Sequence, residues 1–155
     1  MKCVSTRFGD LEVEEGSLLT FPSGILGFPD QTRYVILDHD TDAPFKWLQC
    51  VDQPNLAFVI IDPALFKPDY RVQLAVEALA EIHAAPDGQD LTIAVILTIP
   101  SHDPSRITGN LRGPLVMNPR SRLCKQVVLA DDCPTRYPLF SQSSSSAPVL
   151  QTAAM

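Results

Sequence analysis

The chain has 155 residues, 45% of them hydrophobic and 19% charged, with 12 Lys and Arg against 18 Asp and Glu for a net charge of -6. That length supports one core able to bury roughly two thirds of the unfolded surface without disulfide or metal staples. The surplus of carboxylates excludes wholesale binding to nucleic acid or to an anionic membrane, both of which need clustered Lys and Arg.

The imbalance lies in residues 1–70, which hold 5 basic and 11 acidic residues, whereas residues 71–140 hold 7 of each. Residues 141–155, SQSSSSAPVLQTAAM, carry no charge and read as a disordered Ser-rich C-terminal tail, leaving 1–140 as the folded domain. The longest wholly apolar run is LAFVII at 56–61, and MKCVSTRFGD lacks the apolar core of a signal peptide. The expectation is a cytoplasmic protein that does not enter a membrane. Cys3, Cys50, Cys124 and Cys133 fit neither a redox pair nor zinc-ligand spacing, and their apolar neighbours predict buried thiols.

The chain opens with two alternating runs, KCVSTRF (2–8) and DLEVE (10–14). Gly9-Asp10 between them predicts a tight hairpin with Val4 and Thr6 facing Leu11 and Val13, and Glu12 and Glu14 outside. SLLTF (17–21) precedes FPSGILGFPD, whose Gly24 and Gly27 are followed by Pro29 and not by a phosphate-binding helix, so a structural turn is expected. RYVILD (33–38) runs into Asp38, His39, Asp40 and Asp42. An EF-hand counted from Asp38 would need Gly at 43 and Glu at 49, where the chain has Ala43 and Gln49, so this is a solvated acidic loop.

KWLQCV (46–51) and LAFVIID (56–62) follow as strands, with Trp47 half-buried and Asp62 capping the turn made with Pro63. Helical spacing of Val72, Ala75, Val76, Leu79, Ala80 and Ile82 then predicts one helix at about 70–83, with Asp69 as its N-cap, lying against an opening or edge. LTIAVILTI (91–99), the loop pair His102-Asp103, an Asn110-centred turn, PLVMN (114–118) and KQVVLA (125–130) complete the series. Nine short strands and 14 prolines predict a mainly β, compact antiparallel β-barrel-like single domain with one short α-helix.

No nucleophile elbow, Walker loop, dinucleotide fingerprint or zinc-protease motif is present, and no catalytic, metal or cofactor residue is assigned. Two rival classes rest on local features. An RNA-binding β-barrel would use the basic segment 106–125, with Arg106, Arg112, Arg120, Arg122 and Lys125, though no aromatic residue is interleaved there for base stacking. A small hydrolase or metal enzyme would use Asp38, His39, Asp40 and Asp62. Partner-binding residues are expected on exposed connections beside the helix cap and the Asn turn: Phe66, Asp69, Tyr70, Asn110 and Leu111, with core packing as the alternative for Phe66 and Leu111.

The ordered set RFGDLEVEE (7–15), FPSGILGF (21–28), PFKWLQCVDQPNLAFVIIDPALFKPDY (44–70), NLRGPLVMN (110–118) and KQVVL (125–129) resembles the FliW family of flagellar assembly factors. Gly113 stands where the family pattern has alanine, and the Ser-rich tail has no counterpart in the shared segments. The resemblance implies a β-barrel-like protein without enzymatic activity or cofactor. It implies binding to CsrA, an RNA-binding translational repressor, which relieves the block on flagellin messenger RNA, and binding to flagellin itself. Synthesis is thereby coupled to export by a partner switch. The protein is expected to be a monomer when free and to make no direct nucleic acid contact. The acidic N-terminal half fits electrostatic steering toward a basic partner.

Overall fold

The computed structural model of the chain describes residues 1–38, 44–88, 90–100, 103–130 and 132–140. His39, Asp40, Asp42, His102 and the tail 141–155 lie outside the described residues, and with them the acidic-loop, His102-Asp103 and tail expectations.

Strands β1 (Lys2–Ser5) and β2 (Gly9–Glu12) form the N-terminal hairpin, with Gly9 at a φ of 78° that suits glycine at the reversal. Its register differs from the sequence expectation by an odd number of residues: Cys3 faces Leu11 and Val4 faces Asp10. Because side chains alternate, that slip exchanges the faces. Cys3, Ser5 and Val13 are buried, whereas Val4 is 53% exposed. Ser5 is fixed inside because its hydroxyl donates to Gln49 Oε1 at 2.8 Å and accepts the N–H groups of Arg7 and Phe8.

The remaining strands are β3 (Leu19–Thr20), β4 (Arg33–Leu37), β5 (Lys46–Cys50), β6 (Ala57–Ile61), β7 (Thr92–Thr98), β8 (Thr108–Gly109), β9 (Leu115–Met117), β10 (Cys124–Gln126) and β11 (Tyr137–Pro138). Seven of them run in the order β10-β9-β7-β6-β5-β4-β3, every pair antiparallel, while β8 and β11 extend from β7. The two ends of this path meet at one parallel bridge, Thr20 with Leu123, where Thr20 N–H donates to Arg122 C=O at 2.9 Å. A single bridge leaves the barrel incompletely closed.

β7 divides its outer edge, Thr92–Ala94 pairing with β9 and Leu97–Thr98 with β8, which splits the sheet at this end. Strand alternation feeds different clusters. Leu48, Ile60, Phe21, Tyr34 and Leu115 fill the main core, whereas Val59, Ile61, Val95, Leu97 and Leu111 pack on the opposite face against Trp47, Phe66, Tyr70 and Tyr137. Cys3, Cys50 and Cys124 are buried and reduced, as expected, and Cys133 is partly buried. Burial pushes the Cys124 thiol up to about 12.

The helix α1 is shorter than expected, Val76–Glu81, with Ala75 at its N-cap and no side-chain cap. Residues 70–75 form no regular structure, and the start of that stretch is anchored elsewhere. Tyr70 is bonded to the sheet, and Arg71 Nη1 donates to the carbonyls of Pro68 and Tyr70 at 2.9 Å each. Asp69 pairs with Lys67 at 3.2 Å and caps nothing. Ala78 and Leu79 are the buried face of the helix and Val76 is 77% exposed, so its apolar periodicity overstated the contact. Among the described residues no helix is long and apolar enough to cross a membrane.

Candidate functional site

The chain leaves β6 through a 3-10 turn, Pro63–Leu65, whose Asp62 carboxylate accepts the Ala64 N–H at 2.9 Å. Asp62 is thus a turn cap, as the sequence indicated, with Pro63 supplying the fixed φ. The turn delivers Phe66 onto Tyr137 of β11, with ring centroids 5.8 Å apart and an interplanar angle of 30°. Lys67 lies over the same tyrosine ring at 5.5 Å. Gly109 permits this approach: a Cβ there would stand 3.3 Å from Phe66 Cζ.

Tyr70 donates its hydroxyl to Leu111 C=O at 2.5 Å, and burial pushes that phenol upward from its usual pKa. Asn110 organises the next turn: its N–H donates to Ile96 C=O at 2.9 Å. Its Oδ1 accepts from Arg112 N–H at 3.1 Å and Gly113 N–H at 3.0 Å. At Gly113 a Cβ would come within 2.8 Å of Gln126 Nε2, so this glycine lets the Gln126 amide lie close.

The five residues named from sequence therefore gather at one end of the sheet, with different exposure. Asp69 is exposed, and Phe66, Tyr70 and Asn110 are half-buried. Leu111 is not on an exposed connection: at 1% exposure it packs with Val95, Leu97 and Ile107. The exposed apolar positions beside the cluster are Leu65 and Phe140, at 59% and 40%. These two, with Lys67 and Tyr137, were missed from sequence. The run YPLF at 137–140 was the available signal, but a two-residue strand flanked by proline has no periodicity to reveal it.

Most of the basic segment is engaged internally. Arg112 Nε donates to Cys133 C=O at 2.9 Å, Arg122 Nη2 to Ser17 C=O at 2.9 Å, and Arg120 pairs with Asp90 at 3.3 Å. Lys125 meets Glu81 at 3.1 Å, and Ser23 Oγ donates to the same carboxylate at 2.7 Å. The Ser23 hydrogen bond first, then Lys125, holds Glu81 below the ordinary carboxylate range. In contrast, Asp10, Glu12, Glu14 and Glu15 are all exposed on and after the hairpin. Among the described residues no group of three or more His, Cys, Asp or Glu is placed to hold a metal ion.

The family model described as "FliW protein" matches residues 2–139. The flagellar assembly factor FliW of Natranaerobius thermophilus is 40% identical over 148 residues, covering 95% of this chain and 97% of the relative. That of Geobacter sulfurreducens is 40% identical over 147 residues, covering 94% and 91%. A crystal structure of the flagellar assembly factor FliW superposes with a TM-score of 0.82 at 34% identity, covering 91% of this chain and 98% of the other. Matched along more than nine tenths of its length in both sequence and architecture, the chain belongs to the FliW family of flagellar assembly factors.

Proposed function

We propose that this chain is a non-enzymatic cytoplasmic regulator that binds CsrA, prevents it from blocking flagellin messenger RNA, and is withdrawn from CsrA by flagellin. The observation that carries this reading is the charge arrangement on a FliW fold. Exposed carboxylates crowd the N-terminal hairpin, whereas Arg112, Arg120, Arg122 and Lys125 are held by the protein's own carbonyls and carboxylates. Such a surface attracts a basic protein and offers little to a phosphate backbone. The RNA-binding alternative is correspondingly disfavoured.

We infer that the protein-binding surface lies at the end carrying Phe66, Asp69, Tyr70 and Asn110, with Leu111 supporting it from within. Aromatic groups beside a polar rim are the composition on which interface anchors concentrate. Two partners that exchange in response to free flagellin need affinities near working concentrations, about nanomolar to micromolar.

The test is a three-component titration. Purified chain should release labelled flagellin leader RNA from CsrA, and added flagellin should restore the CsrA–RNA complex. Direct capture of that RNA by the chain alone, with a steep salt slope, would overturn the proposal.

A further inference from the structure

The tips of two hairpins meet beside strand β5. Thr6 N–H, in the turn between β1 and β2, donates to Pro54 C=O, in the turn between β5 and β6, at 2.8 Å. Buried Gln49 fixes both tips from below: its Oε1 accepts the Ser5 hydroxyl at 2.8 Å, and its Nε2 donates to the carbonyls of Pro54 and Leu56 at 3.2 Å each. Ser5 Oγ in turn accepts the N–H groups of Arg7 and Phe8. A cavity of about 390 Å³ lies between the tips, lined by Thr6, Arg7, Gln49, Pro54, Asn55 and Ala57. None of these residues is acidic.

The Arg7 side chain is held in place, yet its hydrogen-bonding capacity is unspent. Its guanidinium carbon stands 4.4 Å from the centroid of the Trp47 ring, and Phe8 meets the same ring edge-on at 5.5 Å. Arg33 and Arg120 reach carboxylates, and Arg112 and Arg122 reach backbone carbonyls. No acceptor among the described residues takes an N–H of the exposed Arg7 guanidinium. A planar guanidinium laid on an aromatic face leaves the edge of its fork open, and that fork matches a carboxylate through two parallel N–H···O bonds. Fixing the group beforehand removes part of the ordering cost that a long side chain brings to binding.

We propose that this cavity is a receptor for an acidic side chain presented by a protein partner. Arg7 takes the carboxylate, Thr6 and Asn55 add uncharged donors beside it, and Pro54 and Ala57 offer apolar walls to its stem. The surroundings select the source of the carboxylate. Asp10, Glu12 and Glu14 are exposed on and just after the same hairpin and repel a polyanion such as RNA. A single carboxylate on a neutral or basic protein surface meets little opposition, because at physiological salt an exposed charge is screened within about 8 Å. The role differs from electrostatic steering: steering is diffuse, whereas Arg7 fixes where one residue of the partner sits.

Trp47 is the single tryptophan of the chain, so its fluorescence reports on the site. The test titrates the full chain, at about 0.15 M salt, with the peptide acetyl-Gly-Glu-Gly-amide and with acetyl-Gly-Gln-Gly-amide as a control of equal shape. Saturation by the glutamate peptide is expected at about 1–10 mM, the range open to a contact of this size, and none by the glutamine peptide. Arg7→Lys keeps the charge and loses the fork, so it should weaken binding about fivefold to tenfold. Asn55→Asp puts a carboxylate of the chain's own into the cavity and should abolish binding. Both positions are exposed, so both variants should keep the parent's melting temperature within about a degree. An equal response to the glutamine peptide, tighter binding of inorganic phosphate than of the glutamate peptide, or undiminished affinity in either variant would each overturn the proposal.

Discussion

Tyr70 and Leu111, 41 residues apart, are joined by a 2.5 Å hydrogen bond from the phenol to the backbone carbonyl. The bond ties the segment after Phe66 to the turn built by Asn110, so the candidate surface consists of two loops locked to each other. Tyr70→Phe removes only that bond and should lower stability by about 1 kcal/mol, or about 2–4 °C in melting temperature. Asp69→Ala, at an exposed position, should leave the melting temperature within about a degree. Calorimetric titration with CsrA and flagellin then separates the roles. A surface role requires Asp69→Ala to weaken at least one partner without thermal loss, and unchanged affinity for both removes Asp69 from the surface.

Asn110→Ala leaves the N–H groups of Arg112 and Gly113 without their shared acceptor. The expected cost is about 1–2 kcal/mol in urea unfolding, because two half-buried donors lose a partner at once. Asn110→Asp keeps the oxygen that accepts both N–H groups and should recover most of that loss. Equal destabilisation by the two variants would show that the amide nitrogen, and not Oδ1, holds the turn.

The hydroxyl of Tyr34 is buried and has no hydrogen-bond partner among the described residues, although its ring packs edge-on against Phe21 at 5.4 Å. Burial raises its pKa accordingly. Desolvating an unpaired hydroxyl costs about 1–3 kcal/mol, so Tyr34→Phe should increase the free energy of unfolding by about 1 kcal/mol while keeping the aromatic contact. A lower urea midpoint with unchanged slope would contradict this.

Local signals in the sequence were legible where one residue type dictates one geometry: Asp62 before Pro63, Gly9 at the reversal, Asn110 in its turn, and all nine main strands as segments. Register was not, because Val4 and Cys3 are both apolar and only the hydrogen bond from Ser5 to Gln49, 44 residues away, decides which points inward. The helix was overextended for a similar reason: the spacing of Val72, Ala75, Val76, Leu79, Ala80 and Ile82 carried it back to residue 70, but the polar atoms of Tyr70 and Arg71 are claimed by Leu111, Pro68 and Tyr70 carbonyls. Leu111 could not be told from an exposed anchor until β7 and β8 enclosed it. Long-range closure hid these features, and composition hid none of them.

Glu81 joins the loop containing Ser23, helix α1 and strand β10 through one carboxylate. Its pKa lies below the ordinary value of 4.5 in the folded protein. A depressed folded value contributes stability that is complete above the ordinary value and lost as pH falls through the folded one. Glu81→Gln should therefore destabilise at pH 7 and narrow its gap to the parent protein as pH falls from about 5 toward 3. Melting temperatures across that range check this. A gap that stays constant with pH would assign the effect to packing and not to charge.

The exposed hairpin carboxylates give the proposed CsrA encounter a kinetic signature. Glu12 and Glu14 flank Val13, which is 4% exposed, so their side chains can change without moving the core. Glu12→Lys with Glu14→Lys adds four positive charge units beside the edge that a basic partner would approach. Steering acts on association more than on dissociation, and rim charges mainly alter the on-rate and its salt dependence. The double variant should associate with CsrA several-fold to tenfold more slowly at about 50 mM salt. At about 0.5 M salt, where screening shortens the field to about 4 Å, its rate should converge with the parent's. Stopped-flow measurements at both salt concentrations decide the matter. A slower rate that persists at high salt would place Glu12 and Glu14 inside the contact, and equal rates at low salt would remove the hairpin from the encounter altogether.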